Sequence, residues 1–442
     1  MVRPMRRAQG APGACVPGTT TRVFFESMEA DKSEPSAGPF ERGPLSGYRV
    51  LELGTTVAGP FCGRLLADFG AEVIKVEPAD GDPVRTMGKR FHGKSLYAAS
   101  IFRNKALVSI DLRRPEGQQL ARDLVRRCDV VVENFRPGGL ERWGLGYREL
   151  AELNPGLVMV RISGFGQDGP YRERAGYGVI GEAVSGLRHL TGDPDRPPSR
   201  VAVSMTDYIT GLYAALGATL ALLAREKTGR GQYIDAALYE CAFSFMEPWI
   251  PAYQKLGHVA TRAGSRLPES TPNNLYPTAD RQFIHITAMG DSVFARLARA
   301  MGQPALAEDP RFASAIARSE NHEAIDDLIA RWTTRHALAA LEATLAQALV
   351  PATRVYTMAD IFGDPHYQAR GSIVEAPDDD LGEVAMAAVV PRLSGTPGKV
   401  HHSGHRVGQD TRRVLRELLG LTVEQVDALA AAAIVQCEQE AK

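Results

Sequence analysis

The amino-acid sequence predicts an α/β fold: a Rossmann-like, doubly wound parallel sheet in a large domain, accompanied by a smaller α/β domain. Two observations carry that prediction. Short apolar runs separated by helix-length segments recur from residue 48 to residue 162, and the first of them stops at a loop of small residues leading into a helix. The 442 residues, 44% hydrophobic and 23% charged, are ordinary for a globular chain and sufficient for two domains.

The first strand is Tyr48 to Gly54, followed by the loop Thr55-Thr56-Val57-Ala58-Gly59-Pro60 and a helix over Phe61 to Phe69. A small-residue turn lets a ligand approach the backbone at a helix N-terminus, where free N–H groups favour phosphate; it serves plain helix packing equally well. Glu72 to Glu77 gives the second strand, Leu107 to Leu112 the third, Asp129 to Asn134 the fourth and Leu157 to Ile162 the fifth, with a helix over Gln118 to Arg127. Ligands of such sheets sit beyond the carboxyl ends of the strands, which gathers Thr56, Arg113 and the Asn134–Gly138 turn.

Further along, Gly211 to Ala224 has only Thr219 as a polar side chain and reads as a buried helix introduced by Asp207. Gly229 to Ala236 reads as a turn and strand, Tyr239 to Trp249 as a helix and Arg262 to Pro272 as a loop. Gln282 to Ile286 is a strand, and Asp291 to Met301, His322 to Trp332 and Ala337 to Leu349 are helices, as is Asp410 to Leu419. The expected organisation is a disordered tail over 1–46, a first part of the large domain over 47–235, a linker over 236–261, a small domain over 262–345, a linker over 346–364, and a C-terminal part over 365–442 returning to the large domain.

Charge and cysteine usage exclude several classes. With 51 basic and 52 acidic residues the net charge is −1, which provides no field for nucleic acid or an anionic membrane. The five cysteines are scattered without a C-x-x-C pair, arguing against a disulfide framework or a metal site. The run Gly211 to Ala224 falls short of the roughly 20 residues that span a bilayer. A cytoplasmic protein is expected; the acid-free, Arg-bearing start keeps a mitochondrial transit peptide open as the lesser alternative, and Met28 is an equally good start. Gly164-Phe165-Gly166-Gln167-Asp168-Gly169 matches G-x-G-x-x-G after a strand, but Pro170 and Arg172-Glu173-Arg174 stand where the packed helix of a dinucleotide site should begin.

Several phrases together resemble the class III CoA-transferases, the group that includes formyl-CoA transferase, the carnitine CoA-transferase and the α-methylacyl-CoA racemases. They are Leu51-Glu52-Leu53 with Ala58-Gly59-Pro60, Gly70 to Glu77, Val132 to Gly138, Gly164 to Tyr171, and Asp207 ahead of Gly211-Leu212-Tyr213-Ala214-Ala215, in the family's order from about residue 47 onward. Taken alone, Asp207 reads as a helix N-cap. The resemblance implies instead a nucleophile that attacks an acyl-CoA, forms a mixed anhydride and then an aspartyl-CoA thioester, and passes CoA to an incoming carboxylate. A helix N-terminus would keep that carboxylate ionised at neutral pH.

Carried over by position, the resemblance assigns CoA contacts to Thr56, Val57 and Ala58, to Arg113, to Asn134 and Phe135, and to Arg142 with Trp143. Arginines suit phosphates through forked donors. The bland readings stand beside these: Arg113 and Arg142 as solvated charges, Phe135 as core, Asn134 as a turn cap. No tightly bound cofactor and no metal are expected, CoA and acyl-CoA being substrates, and the family implies an interlocked homodimer.

Two departures bear on substrate and reaction. Racemases carry a Gly-His-Asp motif where this chain has Gly176-Tyr177-Gly178, and exchange at an α-carbon needs an acid/base on each face. The glycine-rich shielding loop of formyl-CoA transferase is replaced by Ser270 to Pro277, which argues against formyl or oxalyl substrates. The expectation is a transferase moving CoA from a donor such as succinyl-CoA to a small organic acid, with a dicarboxylate as the expected acceptor. An α-methylacyl-CoA racemase, a non-catalytic acyl-CoA binder and a nicotinamide oxidoreductase are the alternatives.

Overall fold

The computed structural model describes residues 43–438. Six parallel strands form the centre of a seven-stranded sheet: β1 (Arg49–Glu52), β2 (Glu72–Glu77), β3 (Lys105–Ile110), β4 (Val130–Glu133), β5 (Val158–Ser163) and β6 (Tyr233–Ala237). A short strand near the C-terminus, β7 (Val435–Gln436), pairs antiparallel with β3 and completes the order β7-β3-β2-β1-β4-β5-β6. The order reverses between β1 and β4, so the crevice at their carboxyl ends is where a ligand is expected.

Successive residues of these strands serve opposite faces, as the period of two requires. Leu51, Ile74, Val108, Val131 and Met159 pack with Leu120 and Leu124 of α2 (Pro115–Val125). Val50, Val73, Val130, Val132 and Val160 pack on the other face with Cys62 and Leu66 of α1 (Ala58–Asp68) and with Ala214, Ala218 and Leu222 of a long helix, Met205–Thr228. Both faces are covered, which is why β4 and β5 are buried at every position and read as unbroken apolar runs.

The long helix departs from expectation twice. It begins at Met205 with Ser204 as N-cap, so Asp207 is its third residue rather than the residue that introduces it. It spans 24 residues, long and apolar enough by length and composition to cross a bilayer. It is also only half core. The small face with Gly211, Ala214 and Ala218 is buried, whereas Leu212, Leu216, Leu220 and Leu223 on the other face are 53–57% exposed. The apolar run predicted burial all round because hydrophobicity does not reveal what covers each face.

Other boundaries shift locally. Of the expected tail, residues 43–46 are described: they form a turn tied down by the Leu45 N–H bonded to the Phe69 carbonyl at 2.9 Å, and the rest of the tail lies outside the described residues. The helix expected over Tyr239 to Trp249 divides into Leu238–Phe243 and Trp249–Leu256. Among the elements that sequence patterning did not predict are the short helix Gly178–Val184 and the hairpin Ile373–Asp378 with Gly382–Ala387.

A separate antiparallel sheet joins Asn273–Pro277, Phe283–Thr287 and Ala352–Arg354. Its core contains Tyr276, Ile284 and Ile286 from the strands with Phe294, Ile325, Ile329 and Leu341 from the helices that follow. The replacement for the glycine-rich loop is thus largely strand.

Candidate functional site

The crevice between β1 and β4 is spanned by side chains. Asn134, just past β4, accepts the Thr55 N–H at 2.7 Å and donates Nδ2 to the Thr55 carbonyl at 2.8 Å, so its amide is committed to the facing loop. On the other side, Lys75 Nζ donates to the Gly54 carbonyl at 2.6 Å, and the Asp82 carboxylate accepts the Thr56 N–H at 3.0 and 3.1 Å. Thr56 has φ 68°, a left-handed conformation costing a β-branched residue about 1–3 kcal/mol.

Beneath the loop lies a buried charge network. Lys75 Nζ stands 3.0 Å from Asp82 and 3.6 Å from Glu52, while Lys105 Nζ stands 2.6 Å from Glu52 and donates to the Pro60 carbonyl at 2.7 Å. Such pairs tolerate burial best when their remaining polar atoms find partners; the Gly54 and Pro60 carbonyls accept from the two lysines, while Glu52 Oε1 has no hydrogen-bond partner. The phosphate cradle expected at the first loop is therefore filled in part by the protein's own Asp82: Thr56 offers its N–H to a carboxylate. Val57 and Ala58 are 3% exposed and belong to core clusters, so the structure buries both of these residues, which the resemblance assigns to CoA.

Several predicted residues do converge. A cavity of about 290 Å³ at the carboxyl ends of β1, β2, β3 and β4 is lined by Thr55, Arg113, Phe135 and Trp143, together with Asp80 and Asp111. Phe135 and Trp143 meet edge to face at 5.5 Å. The Phe135 N–H donates to Glu133 at 2.8 Å, and burial pushes that carboxyl up to about 7 even though Arg161 opposes the shift. Arg113 is exposed and pairs with Asp111 at 2.8 Å, leaving its guanidinium at the rim. Arg142 is exposed on the turn beside Trp143 and does not line the cavity.

Asp207 occupies the first turn of the long helix, half-buried against the start of the helix Gly178–Val184. A Cβ built on Gly178 would lie 1.9 Å from Asp207 Oδ2, so the carboxylate rests where any other residue would carry a side chain. Burial pushes its pKa up to about 6, opposed by its own backbone N–H and the Arg200 guanidinium. Desolvation outweighs these opposing effects, yet about nine-tenths of the group remains ionised at pH 7.

One turn further along that helix, a Cβ on Gly211 would come within 2.9 Å of the Ala58 carbonyl and 2.8 Å of Phe61. The two helices therefore touch backbone to backbone, and Asp207 lies one helical turn from the glycine that makes this contact. Phe61 stacks edge to face on Tyr208 at 4.7 Å, and the Tyr208 hydroxyl donates to Tyr97 at 2.9 Å. Sequence reasoning missed Lys75, Asp82, Gly178 and Arg200 as parts of this site. Gly178 was visible beside Tyr177, but nothing in a single sequence marks what its missing side chain makes room for. The G-x-G-x-x-G stretch is followed by turns up to the helix at Gly178, consistent with rejecting a dinucleotide fingerprint there.

The model of CoA-transferase family III matches residues 45–411. A succinyl-CoA--D-citramalate CoA-transferase of Chloroflexus aurantiacus is 52% identical over 394 residues, covering 89% of this chain and 98% of that protein. A succinate--glutarate CoA-transferase of Agrobacterium fabrum is 37% identical, covering 86% and 97% of the two chains. The crystal structure of a CAIB/BAIF family protein from Brucella suis superposes with a TM-score of 0.76 at 36% identity, covering 85% of this chain and 100% of that one. The chain belongs to CoA-transferase family III.

Proposed function

We propose that this enzyme transfers CoA from succinyl-CoA to a small dicarboxylic acid through Asp207. The observation that carries the mechanism is a half-buried carboxylate pressed against a glycine backbone, one helical turn from the glycine that abuts the Ala58 carbonyl. The identity of the acids rests on the names of the relatives, which act between succinyl-CoA and citramalate or between succinate and glutarate.

In the first half-reaction an Asp207 oxygen attacks the thioester carbonyl, giving an aspartyl-succinyl anhydride and CoA thiolate. The thiolate attacks the aspartyl carbonyl and expels succinate, leaving Asp207 as a CoA thioester. The acceptor carboxylate then attacks that thioester, releasing thiolate and forming a second anhydride. Attack by the thiolate on the acceptor's acyl carbon yields the new thioester and frees Asp207. Dividing the exchange into these steps lets one carboxylate do the work of an activated intermediate. A raised pKa makes Asp207 a better nucleophile than a solvated carboxylate, at little loss of ionised fraction at pH 7.

The nucleotide end of CoA is assigned to the cavity lined by Arg113, Phe135 and Trp143, with Arg113 at the rim for a phosphate. Tyr177, 71% exposed at the N-cap next to Gly178, stands where a racemase would carry its histidine, which favours transfer over proton exchange at an α-carbon. The uncovered leucines of the Asp207 helix support a homodimer, with the domain built from residues 262–345 closing the partner's site.

The test is to incubate the protein with succinyl-CoA and other acyl-CoA donors, trap with hydroxylamine or borohydride, and map the modified residue by mass spectrometry. Modification at Asp207 is expected. An adduct elsewhere, or none across a broad donor panel, sinks the mechanism.

A further inference from the structure

The first loop contacts both ends of the site: Thr55 lines the cavity that holds Arg113 and Trp143, and the Ala58 carbonyl abuts Gly211, one turn from Asp207. A CoA thioester with its nucleotide in that cavity and its carbonyl at Asp207 must cross this loop with its uncharged pantetheine arm. Such an uncharged arm is held by the fixed shape of the surface it crosses rather than by charge.

Four polar groups of the loop are already held. Lys75 takes the Gly54 carbonyl, Asn134 takes both the N–H and carbonyl of Thr55, and Asp82 takes the Thr56 N–H. Lys75 and Asp82 also hold each other at 3.0 Å, and neither exceeds 1% exposure. Asp82 additionally accepts the Val84 N–H at 2.9 Å and donates its own N–H to Glu77, which fixes the carboxylate from below. Thr56 keeps its left-handed φ within this frame.

We propose that Lys75 and Asp82 are positioning residues which preset the Gly54–Thr56 loop for the pantetheine arm of an acyl-CoA. This rests on the CoA-transferase reading above. The pair touches the loop and not the reacting atoms, so its effect belongs in donor binding. Neutralising Asp82 leaves Lys75 with Glu52 at 3.6 Å and lets the loop relax. Pre-organisation of this kind lowers the ordering cost of binding, and its loss shows as a weaker substrate complex.

The test combines two measurements. In the unmodified protein, amide exchange at Thr55 and Thr56 is followed without and with CoA. Slow exchange before CoA is added is expected, and fast exchange that slows only with CoA overturns a preset loop, whatever the variants do. In Asp82→Asn and Asp82→Ala, binding of CoA is measured by calorimetry and steady-state KM is measured separately for succinyl-CoA and for the dicarboxylate acceptor. Asp82→Asn is expected to weaken CoA binding about tenfold, with KM for succinyl-CoA rising in parallel, acceptor KM unchanged and Thr56 exchange accelerated. Folded Asp82→Asn protein that binds CoA like the parent overturns the positioning role alone, as does an equal rise in both KM values. Parent protein that binds no CoA overturns the transferase reading together with this one.

Discussion

Asp207 Oδ2 lies against the Gly178 backbone so closely that an added Cβ would stand 1.9 Å away. Gly178 does not occupy a left-handed conformation, so alanine suits its backbone, and what it would strike is the rotatable Asp207 carboxyl group, Oδ2 at 1.9 Å and Cγ at 2.7 Å. Gly178→Ala should therefore fold and turn Asp207 aside. A misplacement of about 1 Å at a reacting group costs on the order of 100-fold in rate. We expect kcat to fall by at least that factor, with the melting temperature within a few degrees of the parent, as read by coupled assay and calorimetry. A variant that keeps full kcat would show that this contact does not aim the carboxylate.

The raised pKa of Asp207 sets an acid limb. Activity should climb as pH rises through about 6, where the carboxylate forms, and this is read from kcat/KM between pH 5 and 8. Arg200 favours the ionised form, so Arg200→Met should move the limb to higher pH. Stability has the opposite sign. The folded-state value lies above the unfolded one, so the penalty for ionised Asp207 is absent below about pH 4, grows between 4 and 6, and is complete above 6. Asp207→Asn should accordingly be more heat-stable than the parent at pH 7 and gain little at pH 4, while losing transferase activity.

How far such features are legible in the sequence depends on whether chemistry or contact defines them. β2 was read at its true limits because Val73, Ile74 and Val76 form a buried-strand run between Gly70 and Pro78. Asp207 is singled out along the chain by the family motif around it, whereas its desolvation leaves no mark there, since that depends on Gly178 arriving from another helix. Lys75 and Asp82 look like ordinary charges along the chain; their meeting under Gly54 follows from β1 pairing with β2. β7 has two residues and a pairing partner far away in sequence, leaving no periodic signal to detect.

Arg113 gives a prediction about salt. Its guanidinium is engaged by Asp111 at the rim of the 290 Å³ cavity, and a CoA phosphate would compete for the same donors. Arg113→Met should raise KM for acyl-CoA roughly five- to tenfold, an amount typical of one charge-assisted contact at a surface. It should also flatten the dependence of that KM on ionic strength, and leave the acceptor KM alone. Trp143 fluorescence offers an independent readout, because its ring lines the cavity: CoA should perturb it in the parent at lower concentration than in the variant.

The exposed face of the Asp207 helix supplies the last prediction. Leu216 lines both the apolar groove of about 570 Å³ shared with Phe61, Tyr208 and Phe245 and the neighbouring groove of about 460 Å³ shared with Leu65, Phe69 and Val390. An apolar surface of this extent is a hallmark of an association site. If it is buried in a dimer, a charge placed there loses its hydration without a partner, while in a monomer the same charge stays in water. Leu216→Arg and Leu220→Arg should therefore shift the protein from dimer to monomer in sedimentation, with little change in monomer folding because both side chains are more than half exposed. Since the proposed dimer has residues 262–345 of one subunit closing the site of its partner, transferase activity should fall with the dimer fraction and recover at high protein concentration. Variants that remain dimeric would place the interface elsewhere.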